Sequence, residues 1–321
     1  MTFSANGDYL LTGEDTGVRA WRVKDGKQMA TMEEDLVRCL AVSKNGRWIA
    51  AGTGWGNMFV WDTKTFKKVF WLQDCVIANY NPDHGINGVD FSPDSTRLVS
   101  AANDTSIWDI ATGEEVQTLD HGDSAVRAAK YSPLGDRIAT ATPDSVRVWD
   151  SNDGRLLVDI KVTVTPWYNT GLLWFQNHLF VISGSTIKQF EASTGSAVSE
   201  WPVPNSIRFS CIVLPKHGEF IAYSIRRIVT LWDTATQTQL GLIQHHRDIH
   251  SIALSPDDRF LAIGEEDGEI TLNSLSRITV SILSRGDAHE QLSYSVHVSI
   301  GFNPFVSSTP HIPGYGKGVV G

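Results

Sequence analysis

Apolar residues in this chain come in short runs, broken at regular intervals by turn-forming residues. Residues 125–154 show the pattern most cleanly. Three short runs rich in aliphatic and β-branched residues are separated by two tight turns, Ser132-Pro133-Leu134-Gly135 and Pro143-Asp144-Ser145. This predicts consecutive antiparallel strands. The first hairpin is bounded by two hydrophobic anchors seven positions apart, Tyr131 and Ile138. The same spacing recurs at Phe3 and Leu10, Val42 and Ile49, Phe91 and Leu98, Leu214 and Ile221, and Leu254 and Leu261.

A second marker follows each hairpin. It reads Trp21-Arg22, Trp61-Asp62, Trp108-Asp109, Trp149-Asp150 and Trp232-Asp233, with remnants at Phe190-Glu191 and Asn273-Ser274. The steps along this series are 40, 47, 41, 41, 42 and 41 residues. Gly26, Gly113, Gly154 and Gly195 each stand five residues past the aromatic, where the turn leaving a third strand often needs positive φ. A fixed period of this length marks a repeat architecture in which no unit buries its hydrophobic face alone. Radial stacking of the sheets solves that problem, and each Trp supplies a large area to bury between neighbours. Positions near the axis must be small, and the positions three before the first anchors are Cys39, Gly88, Ala128, Cys211 and Ser251.

On these markers the chain resembles the WD-repeat (Trp-Asp repeat) β-propeller family over roughly residues 1–283. The resemblance implies an all-β, seven-bladed propeller of four-stranded antiparallel blades. It also implies a hydrogen-bonded His, Ser/Thr, Asp and Trp set in each blade. Asp15 and Asp267 fall at the Asp position, and His121 and His246 near the His position, but no unit holds the whole set. The repeats are therefore expected to be divergent. The fifth unit is the weakest, with its first hairpin reduced to a Gln176-Asn177 turn. The chain starts within the first strand of its first unit, so that blade is expected to lack an inner strand. Residues 294–302 alternate like a strand and are expected to fill the gap and close the ring. The propeller would then span residues 1–302, with 303–321, rich in Pro, Gly and Ser, as a flexible tail.

Composition narrows the function. The net charge of −9 disfavours a general nucleic-acid binder, although a local basic patch is compatible with it. Three widely spaced cysteines, Cys39, Cys75 and Cys211, point to reduced thiols packed as small hydrophobes rather than to disulfides or zinc. No leader pattern stands at the N-terminus, and no apolar run approaches the roughly 20 residues of a membrane helix, so a cytoplasmic or nuclear location is expected. No nucleophile, phosphate-loop or metal motif occurs. Neither an enzymatic activity, a cofactor nor a small-molecule substrate is therefore expected. Glu14-Asp15 and Glu265-Glu266-Asp267 read as solvated turn residues.

What remains is the loop surface, and in the family one face of the disc gathers the inter-blade links together with the turns between second and third strands. Three features map to it. Trp55 lies in a glycine-rich turn, and Trp167 and Tyr168 in the link between the fourth and fifth units; they either anchor a partner or cover the channel mouth. Arg226, Arg227 and Arg247 either bind an acidic or phosphorylated peptide or are ordinary solvated charge. The long link at residues 73–85 accounts for the 47-residue step. The resemblance implies a non-catalytic scaffold for protein–protein interaction. The alternative is a reader of acidic or phosphorylated peptides.

Overall fold

A computed structural model describes residues 1–73, 85–122, 124–164, 171–183, 185–203 and 209–275. Twenty-seven strands and no helix form seven consecutive antiparallel sheets among these residues. Blade 1 holds β1 (Thr2–Phe3), β2 (Tyr9–Glu14), β3 (Gly17–Arg22) and β4 (Gln28–Glu33). Blade 2 holds β5 (Val37–Val42), β6 (Trp48–Thr53), β7 (Asn57–Asp62) and β8 (Lys68–Gln73). Blade 3 holds β9 (Gly88–Phe91), β10 (Arg97–Ala101), β11 (Thr105–Asp109) and β12 (Glu115–Leu119). Blade 4 holds β13 (Ala128–Tyr131), β14 (Arg137–Ala141), β15 (Ser145–Asp150) and β16 (Leu156–Lys161). Blade 5 holds β17 (Leu172–Phe175), β18 (His178–Ser183), β19 (Thr186–Glu191) and β20 (Ala197–Pro202). Blade 6 holds β21 (Phe209–Val213), β22 (Phe220–Ile225), β23 (Ile228–Asp233) and β24 (Gln239–Gln244). Blade 7 shows three strands, β25 (Ile249–Leu254), β26 (Phe260–Glu265) and β27 (Ile270–Ser274). The fold is thus the seven-bladed propeller expected from the repeat.

The Trp-Asp marker sits where the third strand meets its outer turn. The register between third and fourth strands shifts at the aromatic in six blades, as at Ala20/Trp21 and Val148/Trp149. The Asp then caps the turn: Asp62 Oδ1 accepts from the amides of Lys64 and Thr65, and Asp109 Oδ1 from those of Ala111 and Thr112. Those amides hold the carboxyls of Asp62 and Asp109 below the ordinary carboxylate range. The fifth residue past the aromatic has positive φ: Gly26, Gly113, Gly154 and Gly195 at 68–74°, Phe66 and Gln237 at 54° and 56°. Glycine is favoured there because a Cβ strains that conformation.

The core lies between blades. Val99, Ala101, Ile107 and Leu119 of blade 3 pack on Ala129, Tyr131, Ile138 and Trp149 of blade 4. The ring closes the same way, with Phe3, Leu10 and Trp21 against Ala253, Ala262, Ile270 and Leu272. The inner strand expected to be missing from blade 1 is present. Thr2 and Phe3 pair with Leu11 and Leu10, and the Met1 amino group donates to Ser251 Oγ of blade 7 at 3.0 Å. Two residues suffice because the anchor Phe3 already fills the inter-blade site. Residues 294–302 and 303–321 lie outside the described residues. The reduced hairpin of blade 5 is a two-residue turn, Phe175 opposite His178, with Gln176 at φ 51°.

Candidate functional site

Antiparallel order puts the first-to-second and third-to-fourth turns of every blade on one face of the ring, here termed the hairpin face. The second-to-third turns and the inter-blade links fall on the other, the link face. Between them runs a central channel of about 280 Å³, lined by inner-strand residues of all seven blades. The small residues Cys39, Gly88, Ala128, Cys211 and Ser251 all border it. A Cβ on Gly88 would stand 3.2 Å from the Ala128 backbone. Cys39 packs against the carbonyl of Ile86 at 3.5 Å, and burial pushes its thiol up to about 12. Cys75 lies outside the described residues. Arg38, Asn87 and Arg127 also line the channel, each directly preceding one of the small residues. The sequence reading passed over them, yet their register next to Cys39, Gly88 and Ala128 was the available signal.

On the link face, Trp55 occupies the turn between β6 and β7 and is 42 % exposed. The turn is held by Thr53, whose carbonyl accepts from the Gly56 amide at 3.2 Å and whose hydroxyl donates to the Asn57 carbonyl at 3.1 Å. A Cβ on Gly54 would stand 2.3 Å from Leu36 Cδ2, so a side chain there requires Leu36 to move. Gly56 has φ 78°. Two glycines therefore fold the turn tightly and leave Trp55 at its tip. Trp71 on β8, 60 % exposed, belongs to the same blade and donates from Nε1 to Asn57 Oδ1 at 3.4 Å. The sequence reading missed Trp71; its alternation with Val69 and exposure on an outermost strand were the signal.

Arg226, Arg227 and Arg247 come together on the same face, in blade 6 and the following link. Arg226 has φ 50° at the tip of a two-residue hairpin in which Ile225 opposes Ile228. Its carbonyl accepts from the Ile249 amide at 2.6 Å, and that of Arg227 from the His245 amide at 2.7 Å. Both side chains are exposed. Carboxylates share the cluster: Arg227 faces Asp248 at 3.5 Å and Arg247 faces Asp267 at 3.8 Å. Blades 1 and 7 stand between this cluster and Trp55. Trp167, Tyr168 and most of the 73–85 link lie outside the described residues.

The structural hydrogen-bond set is complete to three members in blade 4. Trp149 Nε1 donates to Thr140 Oγ1 at 2.8 Å, His121 Nε2 meets the same oxygen at 2.8 Å, and His121 Nδ1 meets the Leu119 carbonyl at 2.8 Å. A carbonyl only accepts, so Nδ1 carries the proton, and the Thr140 hydroxyl donates to Nε2. Burial holds His121 below its ordinary pKa, consistent with a neutral ring. Shorter versions join Trp21 to Thr12, Trp108 to Ser100 and Trp232 to Tyr223.

Three local readings need correction. In blade 1 the acid behind Thr12 is Glu14, not Asp15, with Thr12 Oγ1 donating to Glu14 Oε1 at 3.3 Å. In blade 7 the histidine in place is His245, not His246, with Nδ1 2.7 Å from Glu265 Oε1. Glu265 is consequently buried rather than solvated, because it also accepts from the Arg247 amide at 3.0 Å. Asp267 does cap its turn, accepting from the Glu269 amide.

The family described as WD40, "WD domain, G-beta repeat", matches residues 26–62, 75–109, 113–150 and 237–272. The chain belongs to the WD-repeat family. Pre-rRNA-processing protein crb3/ipi3 of Schizosaccharomyces pombe is 25% identical over 76% of this chain and 56% of its own length. Small ribosomal subunit protein RACK1y of Oryza sativa subsp. japonica is 28% identical over 44% of this chain and 42% of its own. Periodic tryptophan protein 2 of Arabidopsis thaliana is 24% identical over 71% and 25%. The WD-repeat chain thus spans about half or less of these relatives. Among solved structures, a chain of Kuenenia stuttgartiensis hydrazine synthase aligns with TM-score 0.73 at 14% identity, covering 86% of this chain and 94% of that one. That likeness shows the fold alone. Among the described residues no helix is long and apolar enough to cross a membrane, and no group of three or more His, Cys, Asp or Glu is placed to hold a metal ion.

Proposed function

We propose that this propeller is a non-catalytic scaffold that docks a protein partner on its link face, as one module of a larger assembly. The observation that carries the reading is Trp55, held 42 % exposed on a turn that two glycines fold tightly, in the same blade as exposed Trp71. Exposed aromatics of this kind are the usual anchors of protein interfaces. Trp167 and Tyr168 extend the proposed site along the sequence. Relatives named for pre-rRNA processing and for the small ribosomal subunit support an assembly of that kind, in the nucleus or cytoplasm. A second reading, recognition of an acidic or phosphorylated peptide, is favoured by the convergence of Arg226, Arg227 and Arg247. Asp248 and Asp267 weigh against it, because they compete with an incoming carboxylate or phosphate.

The test is a quantitative pull-down from host extract with wild type and Trp55→Ala/Trp167→Ala/Tyr168→Ala, after circular dichroism has confirmed that both fold. Partners lost with the triple variant support the aromatic site. Partners retained equally by it refute that site. An Arg226→Ala/Arg227→Ala variant that alone loses binding transfers the site to the arginine cluster.

A further inference from the structure

The hairpin face has an uneven charge distribution that the overall −9 conceals. In blade 2 its two turns, residues 43–47 and 63–67, carry Lys44, Arg47, Lys64 and Lys67 and no acid. In no other blade do the corresponding described turns hold more cations than carboxylates. Blade 3, next in the ring, has only Asp94 and Glu114 there.

The four cations form one surface. The outer turn docks on the inner one through the Thr63 amide and hydroxyl, which donate to the Arg47 carbonyl at 2.9 and 3.1 Å. The inner turn is tied to blade 3 by the Asn45 amide, which donates to Ser95 Oγ at 3.2 Å. The outer turn is tied to blade 1 by Phe66, whose ring meets Tyr9 edge-on at 5.9 Å. All four side chains are exposed. None forms an ion pair among the described residues. The one carboxylate at the base of the outer turn, Asp62, is engaged by the amides of Lys64 and Thr65 and by the Thr65 hydroxyl. Arg47 is supported from beneath by Trp48, its guanidinium 4.3 Å from the ring centre.

We propose that these turns form a binding site for the phosphodiester backbone of a nucleic acid, on the face opposite the proposed protein-docking site and independent of it. Protein interfaces are usually anchored by an exposed aromatic side chain, and these turns offer none: Phe66 is packed against Tyr9. Backbone contacts to phosphate need a set of exposed cations that outnumber nearby acids, and here four cations stand over one carboxylate, Asp62, whose oxygen is already bonded by the turn.

The site is tested with the full chain and fluorescein-labelled RNA and DNA oligomers of one sequence, by anisotropy. Each phosphate contact to a single strand contributes about −0.7 to the slope of log affinity against log salt, so three or four predict about −2 to −3. Lys44→Gln/Lys64→Gln/Lys67→Gln is expected to flatten that slope by about 2. A control, Arg155→Gln/Lys216→Gln, alters cations of the same face on blades 4 and 6 and should leave the slope unchanged. RNA and DNA should compete for the site. The proposal is overturned if neither oligomer binds at low salt, or if the triple variant keeps the wild-type slope. It is also overturned if the control variant weakens binding as much, or if a glutamate-rich peptide binds there while the oligomers do not.

Discussion

Replacing Thr140 with Val tests the three-membered hydrogen-bond set of blade 4. The change keeps the shape of the side chain and removes one hydroxyl. That hydroxyl accepts from Trp149 Nε1 and donates to His121 Nε2, both at 2.8 Å, at a position with no solvent exposure. Without it, a buried indole N–H and a buried imidazole nitrogen both lose their partner. Each such orphan costs about 1–3 kcal/mol, so the expected loss is about 2–6 kcal/mol. Repeat proteins can unfold piecewise, so urea denaturation should be paired with amide hydrogen exchange. Protection should fall first in β14 and β15, and least in blades 1 and 7 on the other side of the ring. A double-mutant cycle with Trp149→Phe should show coupling of roughly 1 kcal/mol or more, since the two groups share one bond. A loss below about 0.5 kcal/mol, within the range of ordinary surface changes, would refute the role assigned to these bonds.

Acid should destabilise the ring in two stages. His121 is held below its ordinary value, so its contribution is complete above about pH 6.5 and declines as pH falls below that. Asp62, Asp109 and Asp150 are likewise lowered by turn amides, so theirs is complete above about pH 4 and declines below it. Thr140→Val should alter the first stage and not the second in melts across this range. Gly54→Ala should destabilise blade 2 by about 1–3 kcal/mol, because Leu36 must move, and should shift the fluorescence of Trp55.

Much of the architecture was legible in the chain because it is locally encoded. The period of the hairpins, the Asp that accepts two turn amides and the glycine at positive φ all act within a few residues of backbone. Their spacing therefore reports the blade without knowledge of its neighbours. Small residues at the axis were legible for a related reason, since seven inner strands converge and crowd whatever the partner blade holds. The identity of side-chain partners was not legible. Asp15 and Glu14, or His246 and His245, differ by one position along a strand or link. Only the twist of the sheet decides which of the two faces the buried Thr12 or Glu265. Blade 1 read as incomplete because two strand residues make too short a pattern to recognise. Tertiary packing alone shows Thr2 and Phe3 paired to Leu11 and Leu10 and seated against blade 7. The acidic total hid the basic turns of blade 2, because residues 43–47 and 63–67 are separated in sequence by two strands. They become one surface only when the antiparallel sheet returns the chain to the same face, where Thr63 closes onto the carbonyl of Arg47.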